Sequence, residues 1–323
     1  YYAFGKLEYE GMFPFGDLEQ IQKEVDFNLR REQVIKVHGS EHLVETENGS
    51  EQYDRILIAT GARAFAPPVK GLEPEDAFLM RTVEDALRFK DRLKKNDIKH
   101  AVVIGASMAG IKVVEVLHKY GIETWLLDLA SYIFPLAAYK EVAKEIEKRV
   151  EAQGVHLMFG VTIDHMEQEN GEKTAVLTDG SRIPADIVGL CIGTRAITET
   201  VQGEVEIGRG IVVDDHMRTS VPGIYAAGDC CEGNNLESGQ NQIIGLWANA
   251  NHQGETAGIN MAGGDMAYKG NILHNITHFM NMDFIGFGDN RMQGEVLEYG
   301  SLSDDLFFFS SRRRHTRFRN VTG

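Results

Sequence analysis

The sequence predicts an α/β protein built around a parallel sheet, and three observations support this. The β-branched run at 102–104 enters the glycine turn G-A-S-M-A-G, and a segment with helical periodicity, Ile111 to Tyr120, leaves it. Strand-length apolar runs at 122–127 and 155–159 then alternate with a second helical segment. The length of 323 residues suggests about two domains.

Composition excludes several classes of protein. A hydrophobic content of 43% and a charged content of 25% are those of a globular chain. The net charge of −15 argues against a nucleic-acid partner, which would require a basic face. No apolar run approaches the ~18 residues of a membrane helix, and three cysteines fit a reducing cytoplasm better than a disulfide scaffold.

The region before the glycine turn predicts a helix and a series of strands. Apolar residues three and four positions apart predict a helix over 16–31, with Leu18, Ile21, Val25 and Leu29 on its buried face. Strands at 34–38, 42–46 and 51–53 follow, with the hairpin signal Asn48-Gly49 between the last two. A buried strand then ends at Ala59-Thr60-Gly61, and a helix is predicted over 83–95.

The region after the turn completes a βαβ unit. Gly121 ends the first helix, and the next strand ends at Asp128. Pro135 is expected to open a helix over 136–153, followed by a strand at 155–159 and by hairpin turns at 170–171 and 179–180. A strand over 185–192 then ends at Gly193.

The last third predicts the return to an earlier domain. A strand runs through Tyr225-Ala226-Ala227 to Gly228-Asp229, and a helix led by Trp247 is expected over 246–261. The remainder, to about residue 306, is rich in Asn, Gly and aromatic residues and is expected to begin a third domain.

The glycine turn carries the first chemical signal. A strand, a turn with the pattern G-x-S-x-x-G and a helix form the context that binds a dinucleotide pyrophosphate at a helix N-terminus. Asp128 lies 23 residues after Gly105, close to the spacing of the acid that binds the adenosine ribose, although a solvated strand-end carboxylate is the alternative interpretation. No Arg follows Asp128 to hold a 2′-phosphate, so NADH is favoured over NADPH.

Four motifs in order extend this signal: Ala59-Thr60-Gly61, the G-x-S-x-x-G turn, Asp186-Ile187-Val188 with Gly193, and the strand that ends at Asp229. Together they closely resemble the pyridine nucleotide-disulfide oxidoreductase family, particularly its rubredoxin, ferredoxin and nitrite reductase-like NADH:FAD enzymes. The resemblance covers most of residues 1–300.

The resemblance implies two Rossmann-like, three-layer ββα nucleotide-binding domains, one inserted in the other. The FAD-binding domain would comprise residues 1–80 and 205–265, the NAD(H)-binding domain residues 81–204, and a small C-terminal domain would start at 266–306. The implied activity is hydride transfer from NADH to flavin N5 and on to an acceptor, with a small electron-transfer protein as one partner and a homodimer as one assembly. A thiol-dependent NADH oxidase, peroxidase or CoA-disulfide reductase and a non-catalytic dinucleotide-binding module are the alternatives.

The resemblance also implies cofactor-binding roles. Asp229 would contact the ribityl chain of FAD, the Thr60-Gly61 turn would close over the cofactor, and the helix led by Trp247 would direct its N-terminus at the flavin pyrimidine. The full predicted set is Thr60, Gly61, Gly105, Ser107, Met108, Ala109, Gly110, Asp128, Gly193, Gly228, Asp229 and Trp247.

Two departures from the family pattern bear on function. No FAD-binding G-x-G-x-x-G precedes Asp54, so the segment that would hold the FAD adenosine is expected to lie upstream of residue 1. Lys112 stands where the family commonly has a Glu that positions the nicotinamide.

The remaining reactive residues are expected to be structural. Adjacent Cys230 and Cys231 are interpreted as packed thiols, because a vicinal disulfide is strained. His274 and His278 have the spacing of two metal ligands on a helix, but with no third ligand evident, no metal site is predicted. Residues 307–323, which include five Arg, resemble translated sequencing-adapter sequence and are expected to be non-native.

Overall fold

The computed structural model describes residue 8, residues 18–288 and two later strands, 296–299 and 307–310. Its first part holds a short helix, a three-stranded antiparallel sheet and two further strands. These elements are α1 (Leu18–Glu24), β1 (Val34–His38), β2 (Leu43–Thr46), β3 (Gly49–Gln52), β4 (Ile56–Ile58) and β5 (Ala62–Ala64).

The predicted N-terminal helix is wrong in length. It ends at Glu24, and Val25 and Leu29, which the periodicity assigned to a buried face, are 55% and 43% exposed. Because this face has no core to pack against, a longer helix would not be stabilised by burial of its apolar side chains. Residues 16 and 17 lie outside the described residues.

The central part is a three-layer α/β unit. A five-stranded parallel sheet has the order β6-β13-β7-β8-β9, and a three-stranded antiparallel meander, β10-β11-β12, connects β9 to β13. The elements are β6 (Ala77–Phe78), α2 (Val83–Leu93), β7 (His100–Ile104), α3 (Met108–Lys119), β8 (Glu123–Asp128), α4 (Lys140–Glu151), β9 (His156–Phe159), β10 (Ile163–Glu169), β11 (Glu172–Leu177), β12 (Arg182–Pro184) and β13 (Ile187–Leu190).

The alternation of side chains between the two faces of β7 explains why the sheet is covered on both sides. Ala101 and Val103 belong to a core cluster with the helices α2, α3 and α4, whereas Val102 and Ile104 belong to a second cluster with the meander. Because successive strand residues point to opposite faces, a strand covered on both faces must be apolar throughout. The uninterrupted run at 101–104 therefore specifies a central strand, and the three-layer ββα prediction is confirmed.

The remaining elements return to the first part of the chain. β14 (Thr194–Ala196) pairs with β5, and β15 (Ile224–Ala226) pairs in parallel with β4, so that the two segments flanking the parallel-sheet unit come together. The later elements are β16 (Gly233–Asn234), β17 (Asn241–Gln242), α5 (Trp247–Met261), β18 (His274–Phe279), β19 (Met282–Phe287), β20 (Val296–Tyr299) and β21 (Phe307–Ser310).

Helix α4 begins later than predicted. Phe134 has a left-handed backbone (φ 54°), its carbonyl accepts hydrogen bonds from the N–H groups of Ala137 and Ala138, and Tyr139 is extended. This turn separates Pro135 from the helix. From Lys140 to Glu151 the segment is helical, as predicted.

Only part of the segment predicted to be non-native lies within the described residues. Of residues 307–323, only β21 is described, and it pairs antiparallel with β20. Within the described residues, no helix combines the length and apolarity needed to cross a bilayer.

Helix α2 carries a complete capping box, and this gives a stability prediction. Thr82 Oγ1 accepts from Asp85 N at 3.1 Å, and Asp85 Oδ2 accepts from Thr82 N at 2.9 Å. We expect Thr82→Ala to lower the free energy of unfolding by about 1 kcal/mol, measured by urea denaturation. Thr82→Ser is the control because it keeps the hydroxyl, and an equal loss in both variants would contradict the capping role.

Candidate functional site: a glycine loop, a carboxylate cluster and the cleft between them

The glycine loop between β7 and α3 leaves no room for side chains at its two ends. Gly105 has φ +104°, and a Cβ on it would overlap the carbonyl oxygen of Cys191, at the end of β13. A Cβ on Gly110 would overlap the carbonyl oxygen of Gly105. The loop is therefore tight at Gly105, and α3 packs closely on the strand at Gly110, the two roles that these glycines have in a dinucleotide fingerprint.

Ser107, the residue that departs from the glycine pattern, is the N-cap of α3. Its backbone is extended (φ −96°, ψ 176°), so no glycine is required at this position. Its hydroxyl oxygen accepts from Gly110 N at 3.2 Å, and its O–H donates to Cys191 O at 3.0 Å. Ser is a preferred N-cap, and here it also ties the loop to the end of β13.

Asp128 supports the same loop from the end of β8. Its Oδ2 accepts from Ala106 N at 2.7 Å and its Oδ1 accepts from Ala130 N at 2.8 Å. Each carboxylate oxygen has two lone pairs, so these bonds leave capacity for a ribose hydroxyl. The alternative of a carboxylate that is merely solvated does not describe this position.

A second cluster forms where β4 and β15 end. Arg81 pairs with Asp229 (Nη2 to Oδ2, 2.6 Å), and its Nε donates to Ala62 O at 3.1 Å. Thr60 Oγ1 donates to Ile197 O at 2.5 Å, and both Gly61 and Gly228 have positive φ, 68° and 83°. The guanidinium of Arg81 thus joins Asp229 to Ala62, the residue that follows the predicted Thr60-Gly61 turn.

The N-terminus of α5 lies beside this cluster. A Cβ on Gly245 would be in ordinary contact with Asp229 Oδ2, at 3.8 Å, and Leu246 is the N-cap of the helix, with no side-chain cap hydrogen bond. Trp247 begins the helix, as predicted, and is 62% exposed. The first turn of a helix has N–H groups without intrahelical partners, so this end attracts negative charge.

A cleft of about 440 Å³ lies between the first turn of α3, the N-cap of α5 and strand β18. Met108, Ala109 and Lys112 of α3 form one side, Leu246 forms the second, and residues 274–277 of β18 form the third. The loop predicted to bind a pyrophosphate and the helix predicted to face a flavin therefore open onto one space.

Lys112 is held at the edge of this cleft. Its Nζ donates to Glu115 Oε2 and to His278 O, both at 2.5 Å. The ammonium group therefore lies between α3 and strand β18.

The cysteines are packed thiols, as predicted. Cys191, Cys230 and Cys231 are all buried and unbridged. Burial raises the pKa of Cys191 to about 12. The hydrogen bond between Cys230 and Cys231 lowers the pKa of the first and, with burial, raises that of the second, and both residues are buried.

The metal alternative for His274 and His278 is wrong, because they lie on strand β18 rather than on a helix. Residues four apart on a strand are separated by roughly 13 Å, too far to share one ion. His278 Nδ1 is instead within hydrogen-bond distance of Asp283, at 2.8 Å, and the His274 ring stacks on Phe287.

The structure brings most of the predicted site residues into these neighbouring groups. Gly193, with φ 108°, follows β13, and its carbonyl accepts from Phe65 N, which connects the end of the sheet to β5. Sequence reasoning missed Arg81 and Glu115. The sequence does contain a signal for the position of Arg81. The capping box of Thr82 and Asp85 marks the start of α2, and Arg81 directly precedes it.

Comparisons with known proteins agree with this arrangement. The profile of the pyridine nucleotide-disulphide oxidoreductase family matches residues 4–254. An NADH oxidase of Methanocaldococcus jannaschii is 30% identical over 213 residues, which are 65% of this chain and 47% of that protein. The nitric oxide reductase FlRd-NAD(+) reductase of Escherichia coli O7:K1 is 30% identical over 211 residues, 64% of this chain and 55% of its own length.

A solved structure shows the same fold. The reduced Bacillus anthracis CoADR-RHD protein superposes with a TM-score of 0.83 and 28% identity, over 90% of this chain and 54% of that chain. The present chain therefore spans about half the length of the relatives it matches. With the family profile covering residues 4–254 and the glycine loop, sheet order and Gly-Asp strand in their expected places, the chain belongs to the pyridine nucleotide-disulphide oxidoreductase family.

Proposed function

We propose that this chain is the nucleotide-binding part of an FAD-dependent NADH oxidoreductase, in which hydride passes from NADH to flavin N5 and electrons pass on to a separate acceptor. The observation that carries the proposal is the single cleft reached by both the α3 loop and the start of α5. Two redox partners must lie side by side for hydride transfer, and this cleft provides the shared space.

In this proposal the loop from Gly105 to Gly110 and the first turn of α3, with Met108 and Ala109, bind the NADH pyrophosphate. Glycines at both ends let the phosphates approach the backbone, and the helix N-terminus favours their negative charge. Asp128 binds the adenosine ribose hydroxyls while it continues to hold the Ala106 N–H.

Asp229, Arg81 and the Thr60-Gly61 turn hold FAD in the same proposal. The carboxylate of Asp229 accepts from ribityl hydroxyls, and its ion pair with Arg81 orients that carboxylate. Gly228 and Gly61 let the backbone approach the cofactor, and the N-terminus of α5 stabilises negative charge on the flavin pyrimidine.

When bound, the flavin supplies the redox chemistry, and the residues of the chain bind and orient. The family resemblance and the reductase of Escherichia coli support a small electron-transfer protein as acceptor. Nitrite reductase centres and O₂ are the other acceptors that the family resemblance suggests. A cytoplasmic protein is proposed because its three cysteines are unbridged, and a homodimer is proposed from the family resemblance alone.

A thiol-dependent oxidase, peroxidase or disulfide reductase is the second candidate, and the lowered pKa of Cys230 is the observation in its favour. All three cysteines are buried, so a reactive thiol would have to come from another segment of the protein. A non-catalytic dinucleotide-binding module is the third candidate, and the position of Lys112 at the cleft is its main support.

Flavin reduction is the direct test. We expect the protein with its FAD to be yellow and to lose its visible flavin absorbance when NADH is added without oxygen. A protein that takes up FAD but shows no absorbance change with NADH would support the non-catalytic module. A full-length protein, including the segment expected to hold the FAD adenosine, that takes up no FAD would contradict the proposal.

Asp229 gives a sharper prediction. We expect Asp229→Asn to weaken FAD binding about tenfold, because an amide accepts weaker hydrogen bonds than a carboxylate and no longer pairs with Arg81. The measurement is the dissociation constant of FAD from the quenching of its fluorescence. Asp97→Asn, which removes an exposed carboxylate paired with Arg92, is the matched control and is expected to leave the constant unchanged.

A further inference from the structure

The contact between α3 and β18 rests on two charged side chains that bind backbone groups. Lys112 Nζ donates to His278 O at 2.5 Å, and Glu115 Oε1 accepts from Met280 N at 3.1 Å. The two side chains also pair with each other, Nζ to Oε2, at 2.5 Å. The pair therefore contacts the strand on both sides of Phe279.

The contact is well shielded from solvent. The side chains of Lys112 and Glu115 are 25% and 11% exposed, and Phe279 between their two backbone partners is fully buried. Hydrogen bonds with an ionised partner are roughly twice as strong as neutral ones, and partial burial limits screening by salt.

An apolar contact fixes the same hairpin to the nucleotide-binding unit. The rings of Phe134 and Phe279 meet edge to face at 5.5 Å, and Phe284 contacts Phe134 at 5.2 Å. Gln153 Nε2 also donates to Met280 O at 3.2 Å. The hairpin β18–β19 thus packs into the core of α3 and α4.

The strand held in this way is also a wall of the cleft. Residues 274–277, which directly precede the Lys112 contact, face Met108, Ala109 and Lys112 across it. A shift of β18 away from α3 would widen the cleft without altering the glycine loop.

We propose that Lys112 and Glu115 are positioning residues that hold β18 against α3 and so set the width of the cleft around the nicotinamide end of NADH. This inference rests on the proposed function, because that function places the nicotinamide in the cleft. A Glu at position 112 could not donate to His278 O and would repel Glu115 three residues away. The positive charge of Lys112 is thus complementary to the negative charge of Glu115, one helical turn later.

Lys112→Met tests the proposal because it keeps the length of the side chain and removes the donor. In the flavin-loaded protein, we expect the KM for NADH to rise about tenfold and kcat to change by less than about twofold, since the loss is of binding rather than of chemistry. Lys112→Arg keeps charge and donors and is expected to restore KM to within about threefold of the native value.

Amide hydrogen exchange supplies a readout that needs no cofactor. We expect Lys112→Met and Glu115→Gln to speed exchange in the segment 276–284, with little change in β7 and β8. Lys144→Met is the matched control: Lys144 pairs with Glu147 at the same spacing on α4, and Glu147 also accepts from a backbone N–H, that of Ile133. The control should leave exchange in 276–284 and the KM unchanged.

The double variant Lys112→Glu with Glu115→Lys separates the ion pair from the contact with β18. It keeps opposite charges three residues apart but removes both backbone hydrogen bonds, so it should behave like Lys112→Met. Restoration of native KM by this double variant would overturn the proposal, and so would native exchange in Lys112→Met. If the native protein were not reduced by NADH, the proposed function would fail, whereas faster exchange in Lys112→Met would still support the positioning contact.

Discussion

Gly105→Ala is expected to destabilise the protein by about 3 kcal/mol and to abolish measurable NADH binding. At φ +104° a side chain is strained whatever its surroundings, and the new Cβ would overlap the carbonyl oxygen of Cys191. That oxygen belongs to the backbone at the end of β13 and cannot move aside as a flexible side chain could. Urea denaturation and an equilibrium titration with NADH would measure the two effects.

Gly121→Ala is the control for the backbone cost alone. Gly121 has φ +70° at the end of α3, and a Cβ there would meet nothing within 4 Å. We expect a loss of about 1 kcal/mol and unchanged NADH affinity. Similar losses of stability in the two variants would show that the close approach of Cys191 contributes nothing.

The glycine loop shows what local sequence can and cannot establish. A β-branched run, a glycine with positive φ and a helix with a capping residue are all determined within about twenty residues, so strand β7, helix α3 and the loop were predictable. Ser107 departs from the all-glycine pattern of the fingerprint, but its extended backbone and the hydrogen bond that it accepts from Gly110 N make it an N-cap. The preference of serine for that position was available in the sequence.

Predictions failed where tertiary packing decided the outcome. The apolar spacing at 18–29 suggested a long helix, yet Val25 and Leu29 are exposed and the helix stops at Glu24. Pro135 suggested a helix start, but the left-handed turn at Phe134, whose ring packs on Phe279, delays α4 until Lys140. The ring that packs on Phe134 at this turn comes from a residue more than a hundred positions away.

Contacts between distant positions account for the parts of the site that sequence did not reveal. Arg81 meets Asp229, and Lys112 and Glu115 meet the backbone at 278–280. No spacing rule along the chain relates these positions. The departure at Lys112 was visible, but its match with Glu115 and with strand β18 follows only from the fold.

Nucleotide preference gives the second large prediction. We expect Asp128→Ser combined with Leu129→Arg to change the ratio of NADH to NADPH affinity at least about 100-fold in favour of NADPH. In the proposed binding mode the native carboxylate would repel a 2′-phosphate. An arginine in place of Leu129, which is 70% exposed and directly follows Asp128, would form paired hydrogen bonds with that phosphate. Equilibrium titrations with each nucleotide would measure the ratio.

The structural role of Asp128 determines the choice of replacement and control. Its oxygens hold Ala106 N and Ala130 N, so alanine would also loosen the glycine loop and weaken both nucleotides, whereas serine keeps an oxygen acceptor. Asp128→Asn with native Leu129 separates charge from geometry, because it removes repulsion but supplies no phosphate partner. We expect it to reduce discrimination without reversing it. If the double variant still preferred NADH by its native ratio, Asp128 would not face the ribose, and the orientation of NADH on the loop would have to be reversed.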